Sequence, residues 1–145
     1  FIGEGVCSSE IEKLAKPLKD KIDFHKPLPR DELIMYLMKA SVCLVPLKDK
    51  KLFKSAIPSK MFEYMACGKP IIASIRGDAK KIIDDSRSGT VIEPEDANLL
   101  SDAILSYFND AQKCKVDGKN GLTYVTKNLS KEVLISNMIN KIKNE

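Results

Sequence analysis

The chain has no tryptophan and one histidine among 145 residues. A lone His25 builds neither a histidine metal site nor a nucleophile–histidine–acid triad, so those chemistries are not where its function is sought. Cysteine is sparse too. The four at 7, 43, 67 and 114 show neither close pairing nor metal-ligand spacing. Cys43 in an apolar run and Cys67 at a helix end read as reduced core residues of a cytosolic protein. No stretch reaches the roughly 18 apolar residues that a membrane span needs, and no signal peptide is evident. Charge of one sign is also scarce. With 24 basic and 20 acidic residues the net charge is +4, which is mild and lacks the basic, aromatic-interleaved stripe of a nucleic-acid binder. Gly3-Glu4-Gly5 follows a strand-like start, but a dinucleotide fingerprint wants a third glycine at position 8. That residue is Ser8, which argues against NAD.

What is present is alternation. Strands are predicted near Phe1–Gly3, Lys21–Phe24, Val42–Pro46, Pro70–Ser74 and Thr90–Ile92. Helices are predicted near Ser9–Lys19, Arg30–Ala40, Ser59–Cys67, Ala79–Asp84 and Ala97–Asn109. This order implies an α/β fold, a Rossmann-like parallel sheet with helices on both faces. Two closing helices, Ala111–Lys127 and Ser130–Lys143, follow without a strand. With 43% hydrophobic residues the chain fills one sizeable core, read as a single domain over 1–145.

The most informative stretch is Pro58-Ser59-Lys60-Met61-Phe62-Glu63-Tyr64-Met65-Ala66-Cys67-Gly68-Lys69-Pro70-Ile71-Ile72-Ala73-Ser74. Ser59 suits an N-cap, and Phe62, Met65 and Ala66 make an inward stripe at i, i+3, i+4. Gly68 suits the left-handed position after the last turn, and Pro70 stops the helix before a buried strand. Lys60 and Glu63 lie one turn apart. Spacing alone favours a solvated i,i+3 pair worth a few tenths of a kcal/mol.

Residues 58–74 resemble the nucleotide-sugar signature of glycosyltransferase family 4 (glycosyl transferases group 1), in its bacterial polysaccharide-assembly, Pro-Ser-Lys-x-x-Glu-Tyr form. Phe1-Ile-Gly-Glu-Gly, Ile22-Asp-Phe-His-Lys-Pro-Leu-Pro-Arg-Asp-Glu-Leu, Val42-Cys-Leu-Val-Pro-Leu and Gly89-Thr-Val-Ile-Glu-Pro-Glu-Asp match further family segments in order. The resemblance implies the C-terminal, donor-binding half of a two-domain GT-B enzyme that retains anomeric configuration. The donor is a nucleotide sugar, UDP-linked first and GDP-linked second, with no other cofactor and no metal. No Asp-x-Asp motif is present, the pattern that metal-dependent glycosyltransferases use.

In the family, the glutamate matching Glu63 accepts hydrogen bonds from the donor ribose and the helix start faces the diphosphate. A carboxylate suits vicinal hydroxyls because it accepts two donors at once. The implied donor site is Glu63, Lys60, Ser59, Pro58, Ser55, His25, Pro46, Gly3 and Gly5. For His25 a capping or exposed role competes with a base contact. Family members often carry a second glutamate eight residues earlier, where this chain has Ser55; Pro-Ser-Lys members commonly lack it too. Lys80 and Lys81 follow Gly77-Asp78-Ala79, where the family usually turns acidic, and either touch phosphate or face solvent.

Against the family outline, Phe1–Gly3 starts inside the fold. The first strand and the acceptor-binding N-terminal domain are expected upstream, and residues 1–145 by themselves are expected to bind poorly and not to turn over. The acceptor is expected to be a lipid-linked or surface glycan reached through that domain. The Lys48–Lys54 run reads first as solvated loop charge. A second reading is attraction to diphosphate or to anionic lipid headgroups, which would place the protein at the inner face of the membrane. Leu134, Ile135, Met138, Ile139 and Ile142 form a face expected to be partly exposed or to pair with another copy. The alternative to an enzyme is a degenerate, non-catalytic Rossmann-like binding or interaction module.

Overall fold

The computed structural model describes residues 1–143 and divides into two compact units, Phe1–Tyr36 and the chain from Leu37 onward. The first unit holds α1 (Ser8–Ala15), a 3-10 turn at Lys16–Leu18, and the start of α2 (Arg30–Lys39). The strands expected at Phe1–Gly3 and Lys21–Phe24 do not form. A single parallel bridge joins Ile2 to His25, with the His25 amide donating to the Phe1 carbonyl at 2.8 Å and the Gly3 amide to the His25 carbonyl at 2.9 Å. The physical reason is lack of cover. Phe1 and Ile2 are exposed, and Phe1 finds only the Phe24 ring, stacked at 5.2 Å. Two short segments without a packed face do not sustain a ladder.

The second unit carries the sheet. Strands β1 (Cys43–Pro46), β2 (Ile71–Ser74) and β3 (Gly89–Ile92) run parallel in the order β1-β2-β3, with Cys43 opposite Ile71 and Ile71 opposite Gly89. The central strand is buried throughout, as expected of an apolar strand covered on both faces. On one face Val45, Ile71 and Ala73 meet Met61 and Met65 of α3 (Lys60–Ala66) and Ala79 and Ile83 of α4 (Asp78–Ser86). Tyr124 and Val125 of α6 (Ala111–Leu129) close that face. On the other, Ile72 and Ile92 pack on Ala103 and Tyr107 of α5 (Ala97–Asn109). Helix α7 (Lys131–Lys143) follows, and its Leu134, Ile135, Met138, Ile139 and Ile142 are exposed as expected.

The buried pair of α3 is Met61 and Met65, both at 0% exposure. Phe62 is half-buried, and Ala66 is exposed rather than inward. The inward face is centred on Met61 and Met65 because those are the side chains that meet Val45, Ile71 and Ala73 of the sheet. Removing either methionine to alanine costs about 2–5 kcal/mol at such positions.

Helix α3 ends as the sequence predicts. Gly68 takes φ +65°, its amide donates to the Met65 carbonyl at 2.9 Å, and the Lys69 amide donates to the Tyr64 carbonyl at 3.0 Å. Those two bonds are a Schellman motif. Helix α6 sits against this turn. A Cβ on Gly118 would lie 2.1 Å from the Gly68 carbonyl oxygen, so only glycine allows the approach.

Tyr107 links the layers. Its hydroxyl donates to Asp117 Oδ2 at 2.7 Å and lies 3.2 Å from Thr90 Oγ1. Lys113 donates to the same carboxylate oxygen at 2.9 Å and lies over the Tyr107 ring. Burial chiefly raises the Tyr107 phenol above its ordinary value, with Asp117 adding to it.

Candidate functional site

The connection from β1 to α3 leaves the carboxyl end of the sheet, where open α/β folds bind ligands. Pro46 ends β1 and Ser74, its register partner, ends β2. With Leu47, Lys48, Glu95 and Asp96 they line an open cleft of about 420 Å³. Ser74 is buried and its hydroxyl donates to the Glu93 carbonyl at 3.3 Å. Asp96 is spent as a cap, accepting from the amides of Asn98 and Leu99.

Ser59 is not the side-chain cap that the sequence suggests. It already has helical dihedrals, φ −56° and ψ −33°, and its side chain caps nothing. The first turn closes one residue earlier, with the Met61 amide donating to the Pro58 carbonyl at 3.0 Å and the Phe62 amide to the Ser59 carbonyl at 3.0 Å. From inside the helix a serine hydroxyl cannot reach the next amides in the geometry of a cap.

Lys60 and Glu63 do not form the solvated pair that spacing favours. Among the described residues the ion pairs are Arg76–Asp49, Arg76–Glu93, Lys80–Asp84 and Lys113–Asp117. Lys60 is half-buried, and Glu63 is exposed with no side-chain partner among the described residues. Its carboxylate is therefore not consumed by structure. Lys80, by contrast, is taken up by Asp84 one turn on, and Lys81 is exposed.

Ser55, Pro58 and Ser59 lie on the segment that leads into α3, with Ser55 exposed after a 3-10 turn at Lys51–Lys54. That segment is tied down by residues the sequence did not single out. Arg76 Nη1 donates to Asp49 Oδ2 at 2.7 Å, while Nε and Nη2 donate to Glu93 Oε2 at 2.8 and 2.6 Å. The hydrogen bond to Glu93 foremost, then the Asp49 charge, raises the Arg76 guanidinium further above its ordinary value. The Asp49 amide donates to Glu95 Oε2 at 3.4 Å, and Glu95 holds a left-handed φ of +62°. Gly77, at φ +76°, lets the Lys54 carbonyl approach so closely that a Cβ would lie 1.8 Å from its oxygen. An aspartate inside a lysine run was the one visible signal of this network; its partner at 76 left none.

Within the first unit the structure brings Gly3, Gly5 and His25 to one cavity of about 660 Å³, lined also by Phe1, Phe24 and Val6. His25 is half-buried, its ring tilted at 5.0 Å from Tyr36. The Gly5 amide donates to the Ser8 hydroxyl at 2.8 Å. The residue that breaks the dinucleotide fingerprint thus also occupies an amide that a pyrophosphate would need.

All four cysteines are free. Burial pushes the Cys43 thiol from 9.0 up to about 11. Burial likewise raises Tyr64. Among the described residues, no group of three His, Cys, Asp or Glu is placed to hold a metal ion, and no helix is long and apolar enough to cross a membrane.

Residues 1–110 match the family model of glycosyl transferases group 1. The chain belongs to that family. It is 30% identical over 130 residues to an uncharacterized glycosyltransferase of Methanocaldococcus jannaschii, covering 88% of this chain and 35% of that one. It is 24% identical over 147 residues to the GDP-mannose-dependent monoacylated alpha-(1-6)-phosphatidylinositol monomannoside mannosyltransferase of Corynebacterium glutamicum, covering 100% of this chain and 38% of that one. Its fold superposes on sucrose-phosphate synthase from Thermosynechococcus elongatus with a TM-score of 0.79 at 28% identity, covering 94% of this chain and 33% of that one. The chain therefore spans about a third of the length of these proteins.

Proposed function

We propose that this chain is the donor-binding half of a retaining glycosyltransferase that moves a sugar from a UDP- or GDP-linked donor to a lipid-linked or surface-polysaccharide acceptor. The observation that carries the reading is Glu63. It is an exposed carboxylate without a side-chain partner among the described residues, in the first turn of the helix that follows the carboxyl end of β1. It accepts the two ribose hydroxyls of the nucleotide. Lys60 and the start of α3 face the diphosphate, and Pro46, Ser55, Pro58 and Ser59 line the approach.

Breaking the glycosidic bond to a diphosphate places negative charge on a phosphate oxygen in the transition state. The chemical task of this half is to hold that charge with amides and ammonium groups placed in advance. Membership of group 1 and the continuity of the match from Phe1 to Asp110 support the reading. Ser55, in the position of the family's first glutamate, favours the non-catalytic module as the second reading.

Titration with UDP, GDP and NADH, followed by amide NMR on the wild type and on Glu63→Ala, tests the proposal. Saturable shifts with UDP or GDP that weaken in the variant are expected, and NADH is expected to shift nothing. Binding of NADH, or nucleotide binding indifferent to Glu63, would sink it. Sugar transfer by the full-length protein separates the enzyme from the module.

A further inference from the structure

We infer that Arg76 is a positioning residue for the candidate donor site: forked between Asp49 and Glu93, it holds segment 47–55 against the carboxyl end of the sheet, where that segment meets an anionic nucleotide. The inference rests on the donor reading above and adds to it a residue outside the 58–74 signature.

The segment has little of its own to hold it. Leu52 is 76% exposed, Phe53 is half-buried, and Lys48, Lys50, Lys51 and Lys54 are exposed. Its backbone is anchored at both ends. The Leu47 amide donates to the Ser74 carbonyl at 3.0 Å, and the Lys54 carbonyl rests on Gly77. Between those ends, Asp49 supplies the tie to the sheet. Its carboxylate takes the Arg76 guanidinium at 2.7 Å and its amide reaches Glu95. Arg76 follows β2 and Glu93 follows β3, so one side chain links the chain leaving all three strands.

Chemistry selects arginine here. A planar guanidinium donates along separate edges, so it serves two carboxylates from different segments at once, whereas an ammonium is a compact point charge. There is also a field effect. Asp49 and Glu93 are acids beside a cleft proposed to take a diphosphate, and unpaired they would repel it. The guanidinium offsets one of the two charges and pairs Asp49, the one acid of segment 47–55, so the segment presents four lysines and a paired carboxylate. Lys48 itself lines the 420 Å³ cleft, and Ser55 closes the segment before α3 begins.

The test compares wild type, Arg76→Ala, Arg76→Lys and Asp49→Asn in the full-length protein by amide hydrogen exchange and by UDP and GDP titration. Arg76→Ala is expected to speed exchange across 48–55 and to weaken nucleotide binding about 3- to 10-fold, because the competent arrangement of the segment falls to a fraction of the population. Asp49→Asn is expected to loosen the same amides. Arg76→Lys restores the charge without the fork, so it is expected to recover less than half of either loss. Thermal midpoints should hold, since the tie lies at the surface.

Full recovery by lysine would overturn positioning in favour of charge alone. Unchanged exchange in Arg76→Ala, or faster exchange with wild-type affinity, would overturn the inference directly. If the wild type binds neither nucleotide and Glu63→Ala changes nothing, the donor reading has failed and the inference falls with it.

Discussion

Gly118→Ala separates the packing account from local propensity, because the two predict opposite signs. By propensity alone, replacing a mid-helix glycine with alanine stabilises by about 1 kcal/mol. In α6, however, the new Cβ would stand 2.1 Å from the Gly68 carbonyl oxygen and 3.0 Å from its carbon. Ordinary contact needs a retreat of roughly 1 Å. The Gly68 backbone is fixed by the two bonds of the α3 Schellman turn, so the retreat falls to α6, which also carries Tyr124 and Val125 into the core. Overpacking of this kind costs about 1–3 kcal/mol, more where the neighbour is backbone. The net expectation is a loss of about 2 kcal/mol, or roughly 5–8 °C in midpoint for a chain this long. Gly121→Ala is the control. Its Cβ would meet Met65 Cγ at 3.1 Å and Ser88 Cβ at 3.0 Å, a far smaller overlap than at Gly118, so propensity and crowding nearly cancel. Thermal and urea unfolding followed at 222 nm read both variants. A Gly118→Ala protein as stable as wild type would refute the seating of α6 on that turn.

Tyr107→Phe removes the donor to Asp117 and the contact to Thr90 while Lys113 stays in place, so a loss of about 1–2 kcal/mol is expected in urea unfolding. Stability should fall as pH rises from 9 toward 11. In that window the unfolded chain has released the Cys43 proton, ordinary value 9.0, that the folded chain keeps up to about 11. Tyr64 and Tyr107, both raised, act with the same sign. Melting curves across that range check it, and a flat profile would contradict the buried thiol. Correspondingly, an aromatic disulfide reagent at pH 8 should label exposed Cys7 quickly and reach Cys43 only on unfolding.

Much of the second unit was legible because local chemistry and packing agree there. The run Ile71-Ile72-Ala73 between Pro70 and Gly77 admits only a buried strand, and Gly68 after Cys67 marks the helix end at the residue where φ turns positive. The register of α3 was not legible. Choosing between the Met61/Met65 stripe and a Phe62/Met65/Ala66 stripe depends on where β2 lies, which spacing along one helix does not carry. Ser59 misled for a related reason: an N-cap preference says nothing about Pro58 already closing the turn. In the first unit, β-like composition at Phe1–Gly3 and Lys21–Phe24 yields one bridge because no packed face covers the pair. Candidates carried by a contiguous motif, Glu63 above all, could be proposed from the sequence. Contacts assembled across strands could not. Glu93 and Asp49 lie 17 and 27 residues from Arg76 and meet it only once the sheet is built.

The most direct test of the central claim is a binding cycle that pairs wild type and Glu63→Ala with UDP or GDP and their 2′-deoxy analogues. If Glu63 receives the ribose hydroxyls, deleting the carboxylate should weaken binding about tenfold, deleting the 2′-hydroxyl less, and deleting both should cost little more than deleting the carboxylate. Fully additive losses, or a 2′-deoxy nucleotide that Glu63→Ala weakens as much as the parent, would mean that the carboxylate and the ribose do not meet.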